Sequence, residues 1–286
     1  MKKYLAYFSI GIFLFGAVYF TYIKRTKGFS YNKIHSHYTY DHRWDFGMPT
    51  EEQRSLIDQV TSKPLTFLGS GKECYAFVSE DGEYVIKFFK QKHMKTEYIL
   101  NHLPLSQEMR MLQKEVVNRH LERRKKIYQS YQLAYERLQE ETGVLYLHLT
   151  KTNYLKQSIH LITKSGEKFT LKLDNIEFLL QRRGTQVFDY LSAYPEKGKE
   201  TINALLNLIT IRNQKGIGDA DINCEKNLGL LNGKGFQIDV GEFYPSLPCS
   251  PSKEELITAT LDLKHYLEMH LPDLALYLDQ EIEKYH

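Results

Sequence analysis

The chain has 286 residues, of which 42% are hydrophobic, and its formal net charge is +3 at pH 7. This apolar content is enough for a packed core and excludes wholesale disorder. The basic surplus lies in residues 1–27, which carry five Lys or Arg and no acid, so the remainder is slightly acidic. A nucleic-acid-binding domain needs a basic face of its own, and the composition therefore disfavours that class.

The three cysteines, Cys74, Cys224 and Cys249, are odd in number and match no metal-binding spacing. We therefore expect neither a disulfide framework nor a zinc site.

Residues 4–23 form an uncharged, mostly apolar run of twenty. As a helix, the run would rise about 30 Å, the thickness of the hydrocarbon core of a bilayer. The alternative, a cleavable signal peptide, normally has a shorter apolar region and a small-x-small cleavage site. Because the run has no good cleavage site and is followed by basic residues at 24–27, the sequence predicts a transmembrane anchor over residues 1–27.

The expected protein is thus a single-pass membrane protein that contacts lipid through residues 4–23. Its orientation stays open, because three positive charges, counting the α-amino group, precede the run and three follow it. We expect the soluble part on the cytosolic side.

Residues 28–64 are polar and aromatic and are predicted to be a membrane-proximal linker with one short helix over 51–61. A β pattern follows over 65–90, where Asp81-Gly82 between two apolar runs indicates a hairpin.

The remaining pattern is mixed and predicts an α+β fold. Helices are predicted over 105–141, 178–194 and 200–215, and Ile202, Leu205, Leu206 and Ile209 share one face of the last. Strands are predicted over 144–150, 158–163, 168–173, 228–231 and 235–240, and the C-terminus is predicted to be helical with an interruption at Pro272.

Two glycines, Gly69 and Gly71, lie between the first two predicted strands. Without a Cβ, their backbone can lie close to phosphate groups. Lys87 follows inside the apolar return strand, where a charge is costly unless it has a partner. Alternation places Lys87 on the same face as Val85 and Phe89.

A polar loop carries Asp219, Asp221 and Asn227, and Asp239 follows the next two predicted strands in an Asp-Val-Gly sequence. Carboxylate oxygens are hard ligands that suit Mg²⁺.

In this order, the glycine loop, strand lysine, loop acid and Asp-x-Gly resemble the protein-kinase-like superfamily over roughly residues 65–245. The chain also resembles a group of uncharacterised membrane-anchored proteins of chlamydia-like bacteria. The kinase resemblance implies an antiparallel β N-lobe over 65–175, holding a helical insertion, and a mainly helical C-lobe over 176–286.

The same resemblance implies ATP and Mg²⁺ as cofactors. Nucleotide phosphates would be bound by Gly69, Gly71 and Lys87. Metal would be held by Asn227 and Asp239. The acceptor hydroxyl would be oriented by Asp221, for which Asp219 is the alternative.

The resemblance also implies a carboxylate partner for Lys87 on the long helix. Glu136 is the preferred partner, because its helix leads directly into the next strand, and Glu108 and Glu115 remain alternatives.

Several departures from the family pattern leave two functions open. The His and Arg that precede the family's catalytic aspartate are absent, and the spacing from Asp221 to Asn227 is one residue longer than in the family. Only 47 residues follow Asp239, which is closer to sugar and lipopolysaccharide kinases. The first hypothesis is a Mg-ATP phosphotransferase that acts on a small-molecule or lipid-linked hydroxyl. The alternative is a pseudokinase that serves as a membrane-tethered binding module, and an unrelated α+β domain is the third reading.

Overall fold

The computed structural model describes residues 28–91 and 106–285. The predicted anchor over 1–27 lies outside these ranges. No helix within them is long and apolar enough to cross a membrane. The described residues divide into two compact units, a first unit of 28–91 with 148–178 and a second unit of 106–147 with 179–285.

The regular elements are numbered here in chain order. The helices are α1 (Tyr31–Ile34), α2 (Glu51–Thr61), α3 (Gln107–Arg137), α4 (Gln139–Thr142), α5 (Val187–Ala193), α6 (Gly198–Gln214), α7 (Cys224–Asn227), α8 (Lys253–Ala259), α9 (Leu261–His270) and α10 (Pro272–Ile282). The strands are β1 (Leu65–Ser70), β2 (Cys74–Val78), β3 (Tyr84–Phe89), β4 (Val144–His148), β5 (Ser158–Ile162), β6 (Lys168–Lys172), β7 (Phe178–Arg182), β8 (Thr185–Gln186), β9 (Ile217–Asp219), β10 (Leu228–Leu231), β11 (Lys234–Gln237) and β12 (Phe243–Pro245).

Most predicted elements are confirmed, but the helix expected over 178–194 is wrong in its first part. Residues Phe178–Arg182 form strand β7, and helix α5 begins only at Val187. Leu179 and Leu180 are both buried although they point to opposite faces of the strand. A strand buried on both faces gives a continuous apolar run, which periodicity does not separate from a buried helix.

In the first unit, the strands lie in the order β3-β2-β1-β5-β6. The β1–β2, β2–β3 and β5–β6 pairs are antiparallel, whereas β1 and β5 are parallel, with Leu65 opposite Leu161. The two glycine-flanked strands β1 and β2 are therefore held in the middle of the sheet rather than at its edge.

The segment predicted as a linker is packed into the first unit. Phe29 is 2% exposed and makes edge-on contacts with Tyr75 and Phe77 at ring-centroid distances of 5.2 and 5.1 Å. Ile34 and Trp44, the only tryptophan of the chain, are also buried. Helix α2 begins with a capping box in which Thr50 and Gln53 exchange side-chain and backbone hydrogen bonds.

The second unit is built around helix α6. Its predicted apolar face is confirmed, because all four residues named for it are buried in one core with residues of α5, α8, α9 and α10. Strand β10 lies between β8 and β11, and β9 pairs with β12. These short strands place the loop with Asp221 next to the segment with Asp239.

Candidate functional site

The glycine loop of the first unit is open on the side where a side chain would stand. A Cβ added at Gly69 or Gly71 would meet no atom within 4 Å. The turn is closed by the backbone, since Gly71 N donates to Cys74 O at 3.0 Å. Lys90 Nζ also donates to Ser70 Oγ at 2.9 Å. The loop thus leaves room for a ligand close to its backbone.

Lys87 lies on β3 opposite Ala76 of β2 and is half-buried. Lys87 therefore lies on the strand that returns from the glycine loop, as the sequence predicts. The structure therefore brings Gly69, Gly71 and Lys87 together in one unit.

The predicted partner of Lys87, Glu136, lies in the second unit, is exposed, and accepts a hydrogen bond from Gln132 Nε2 at 2.8 Å. The alternative Glu115 is exposed as well and pairs with Arg119 at 3.0 Å. The side chain of Glu108 lies outside the described residues. The assignment of a carboxylate to Lys87 stays a prediction.

In the second unit, Asn227 connects the loop acid to the predicted metal aspartate. Its side-chain Nδ2 donates to Asp221 O at 2.7 Å. Its backbone oxygen accepts from Ile238 N at 2.7 Å and from Asp239 N at 3.4 Å. Three of the predicted site residues, Asp221, Asn227 and Asp239, are therefore held together by hydrogen bonds of one asparagine.

The side-chain oxygens of this group are available for a cation. The Asp221 side chain is exposed, and within the described part of the chain its carboxylate accepts no hydrogen bond. Asp239 is half-buried, and its Oδ1 accepts from Gly241 N at 3.1 Å. Asn227 uses its nitrogen toward Asp221, which leaves its Oδ1 for a ligand. Two carboxylates and an amide oxygen are the hard donors that Mg²⁺ takes.

No cluster of three or more His, Cys, Asp or Glu that would hold a metal by itself occurs in residues 28–91 and 106–285. The donor set suits Mg²⁺ that arrives with a phosphate ligand, because this ion is usually bound by one or two carboxylates and completed by phosphates and water.

Asp219, the alternative loop acid, faces inward. Its side chain is 4% exposed and forms an ion pair with Arg212, which is 3% exposed, at 3.1 Å. Gln237 Nε2 donates to the same carboxylate at 3.0 Å. Burial raises the pKa of Asp219 to about 6, against the opposing effect of Arg212. Of the two candidate loop acids, Asp221 is therefore the one whose side chain is exposed.

Arg212 and Gln237 were not predicted from the sequence as members of this group. A signal for Arg212 was present, because it lies three residues after Ile209 and extends the buried face of α6. A charged residue on a buried face needs a partner of opposite charge, and the loop after α6 supplies Asp219. Gln237 carried no such signal, since its partners are set by the pairing of β10 and β11.

Helix α3 also contacts the Asp239 segment. Ser130 is 1% exposed, its hydroxyl donates to Val240 O, and the same oxygen accepts from Phe243 N at 2.6 Å. This serine thus fixes the backbone on the C-terminal side of Asp239.

Comparisons with known proteins find similarity at the level of structure only. No protein-family profile and no curated protein matches the sequence. The complex of Rv3197 with erythromycin from Mycobacterium tuberculosis is 15% identical, with a TM-score of 0.36, over 82% of this chain and 61% of that one. The structure of WbdD, elsewhere described as a bifunctional kinase-methyltransferase, is 14% identical, with a TM-score of 0.37, over 77% of this chain and 46% of that one. The streptomycin-ATP-APH(2")-IIa complex is 10% identical, with a TM-score of 0.32, over 83% and 89%.

Each of these TM-scores is below 0.5. The kinase-like superfamily and the resemblance to proteins of chlamydia-like bacteria therefore stay predictions. The chain spans less than two thirds of the length of the first two structures. At these TM-scores the likeness carries no conclusion about substrate, cofactor or mechanism.

Proposed function

We propose that this protein is a kinase-like phosphotransferase that uses Mg-ATP and a hydroxyl acceptor. The observation that carries the proposal is the hydrogen bonding of Asn227, which holds the loop acid Asp221 and the Asp-Val-Gly aspartate Asp239 in one arrangement. Such a group positions reactants and neutralises charge, which is what phosphoryl transfer requires of a protein.

Each group of site residues has its own role in the proposed reaction. The exposed Asp221 carboxylate orients the acceptor hydroxyl and takes its proton as the acceptor oxygen bonds to the γ-phosphorus. The bond between that phosphorus and the β,γ-bridging oxygen breaks, and ADP leaves. Asp239 and Asn227 would hold Mg²⁺, which supplies neutralisation of phosphate charge when bound. Gly69, Gly71 and Lys87 would bind the phosphates.

The proposed acceptor is a small-molecule or lipid-linked hydroxyl. The predicted anchor over residues 4–23 supports an acceptor near a membrane, and an ATP-dependent enzyme belongs on the cytosolic face. Both statements depend on the sequence pattern alone and are part of the proposal.

One observation favours a pseudokinase instead. The loop before Asp221 lacks the His and Arg that the family pattern would place there, and the spacing from Asp221 to Asn227 is one residue longer. A kinase-like protein with an altered catalytic loop would bind a nucleotide without transferring phosphate efficiently. In that case the chain would act as a membrane-tethered binding module.

The test is a thermal-unfolding titration of the purified full-length chain with ATP, in the presence and absence of Mg²⁺. A ligand that binds only the folded state raises the unfolding temperature by mass action. We expect a Mg²⁺-dependent rise that is lost in Asp239→Ala and in Lys87→Ala. Asp273→Ala, at an exposed acid in the first turn of α10, is the matched control and should respond like the wild type.

The outcomes separate the two functions. A Mg²⁺-dependent rise followed by slow ADP formation that Asp221→Asn reduces further supports the enzyme. A rise with no ADP formation supports the pseudokinase. A folded wild-type chain that shows no rise at millimolar ATP excludes both nucleotide-dependent readings.

A further inference from the structure

The proposed reaction gives no task to Asp219, although this residue lies two positions before the loop acid. Its side chain and that of Arg212 are 4% and 3% exposed, so the pair is removed from solvent and touches no substrate. A buried ion pair contributes little net stability, because the cost of desolvation offsets the attraction between the charges. Its hydrogen bonds indicate a different role.

Each oxygen of the Asp219 carboxylate holds one side of the site. Oδ1 accepts a hydrogen bond from the backbone nitrogen of Asp221 at 3.1 Å. Oδ2 accepts from Gln237 Nε2 at 3.0 Å, and the same nitrogen donates to the backbone oxygen of Asp239 at 3.0 Å. One carboxylate is therefore connected directly to the acceptor-side acid and, through one amide, to the metal-side acid.

Arg212 fixes the direction of these bonds. Its Nη1 donates to Asp219 Oδ2 and to Gln237 Oε1 at 3.1 and 3.2 Å. An arginine only donates, so Gln237 must present its oxygen to Arg212 and its nitrogen to Asp219 and Asp239. These bonds hold the three side chains in a single arrangement.

We propose that Asp219 is the positioning residue of the site, which sets the distance between Asp221 and Asp239 through its two oxygens. The inference depends on the proposed function and deepens it. Asp219 neither binds Mg²⁺ nor meets the acceptor. Instead, it holds the backbone of the two residues that do, so its loss should weaken metal binding in the nucleotide complex.

Asp219→Asn tests the positioning role with almost no change in the size and shape of the side chain. An amide has one oxygen and one NH₂ group, whereas the three neighbours of Asp219 are all donors. Whichever way the amide lies, its nitrogen faces a donor, and either the Asp221 connection or the Gln237 connection is lost. Removal of a residue that hydrogen-bonds a metal ligand and orients it typically lowers metal affinity about 10- to 100-fold.

The experiment measures the Mg²⁺ concentration that gives half of the ATP-dependent rise in unfolding temperature. Asp219→Asn should raise this midpoint about tenfold or more. Glu141→Gln is the matched control, because it removes another ion pair of the second unit, with Lys215 at 2.6 Å, from a carboxylate that is 9% exposed. It should lower stability without moving the Mg²⁺ midpoint.

Gln237→Met provides a second variant in case Asp219→Asn does not fold. It keeps the Arg212–Asp219 pair and removes the donor to Asp239, so it too should raise the midpoint. An unchanged midpoint in either folded variant, beside a normal wild-type response, overturns the positioning role alone. A wild-type chain without any Mg²⁺-dependent response overturns the proposed function and this inference together.

Discussion

The two loops that carry the predicted site residues are built in opposite ways. The glycine loop of the first unit has open space around Gly69 and Gly71, and its turn is closed by a backbone hydrogen bond. The aspartate loop of the second unit is held by a buried network of Asp219, Arg212 and Gln237. The glycine loop, which is proposed to bind phosphate, thus has open space beside its backbone, whereas the aspartate loop, which is proposed to bind metal, is held by side-chain hydrogen bonds of its own unit.

The largest expected effect comes from removing the cation of the network. Arg212→Met leaves the buried Asp219 without its partner, which should cost about 3–5 kcal/mol of unfolding free energy at pH 8. The measurement is denaturant-induced unfolding followed by circular dichroism. The double variant Arg212→Met with Asp219→Leu removes both charges and should recover much of the loss. A single variant within 1 kcal/mol of the wild type would contradict a network that depends on charge.

The next effect is a dependence of stability on pH. Burial raises the pKa of Asp219 to about 6, above its value of about 3.9 in unfolded chains. The folded state therefore binds this proton more tightly, and the resulting stabilisation is present below about pH 4 and lost as the pH rises through 6. A shift of this size corresponds to about 3 kcal/mol.

The comparison is between the wild type and Asp219→Asn, unfolded by urea at pH 4.5 and at pH 7.5. The stability advantage of the wild type over the variant should be larger at the lower pH. An advantage that grows toward pH 7.5 would mean that the carboxylate is better stabilised than its burial indicates.

A third prediction concerns a glycine of the second unit that has no room for a side chain. A Cβ at Gly184 would lie 2.5 Å from Cδ1 of Phe236, a ring that is 1% exposed. Gly184→Ala should therefore cost about 1–3 kcal/mol by overpacking. A melting temperature equal to that of the wild type would show that Phe236 can move aside.

The smallest effect on stability is expected in the glycine loop. Gly69→Ala and Gly71→Ala place a methyl group in open space and should change the unfolding free energy by no more than about 0.5 kcal/mol. The same methyl group would stand where the backbone is proposed to approach phosphates, so ATP-dependent stabilisation should decrease. A loss of stability as large as that of Gly184→Ala would contradict the open space around Gly69 and Gly71.

Local signals predicted much of the fold. The hairpin predicted from Asp81-Gly82 and the helix predicted over 51–61 are both confirmed. Strand β7 was missed, because its apolar run follows from burial on both faces. The packing of residues 28–64 was missed for a related reason, since the contacts of Phe29 depend on strands that come later in the chain.

The site residues show the same limit. Gly69, Lys87 and Asp221 stand in short motifs and were predicted from them. The bonds that join Arg212, Asp219 and Gln237 link residues 7 to 25 positions apart, and only the folded chain brings them together. The order of a motif thus indicates which groups take part in the chemistry, while the groups that hold them in place have to be found in three dimensions.

Trp44 gives this chain an optical property that experiments can use. It is the only tryptophan, it is 8% exposed, and it belongs to the first unit. Its emission therefore reports the loss of burial in that unit. Most of the helical residues within 28–91 and 106–285 lie in the second unit, and they contribute to the far-ultraviolet ellipticity. A difference between the two transition midpoints would resolve the chain into two independently melting parts without any label.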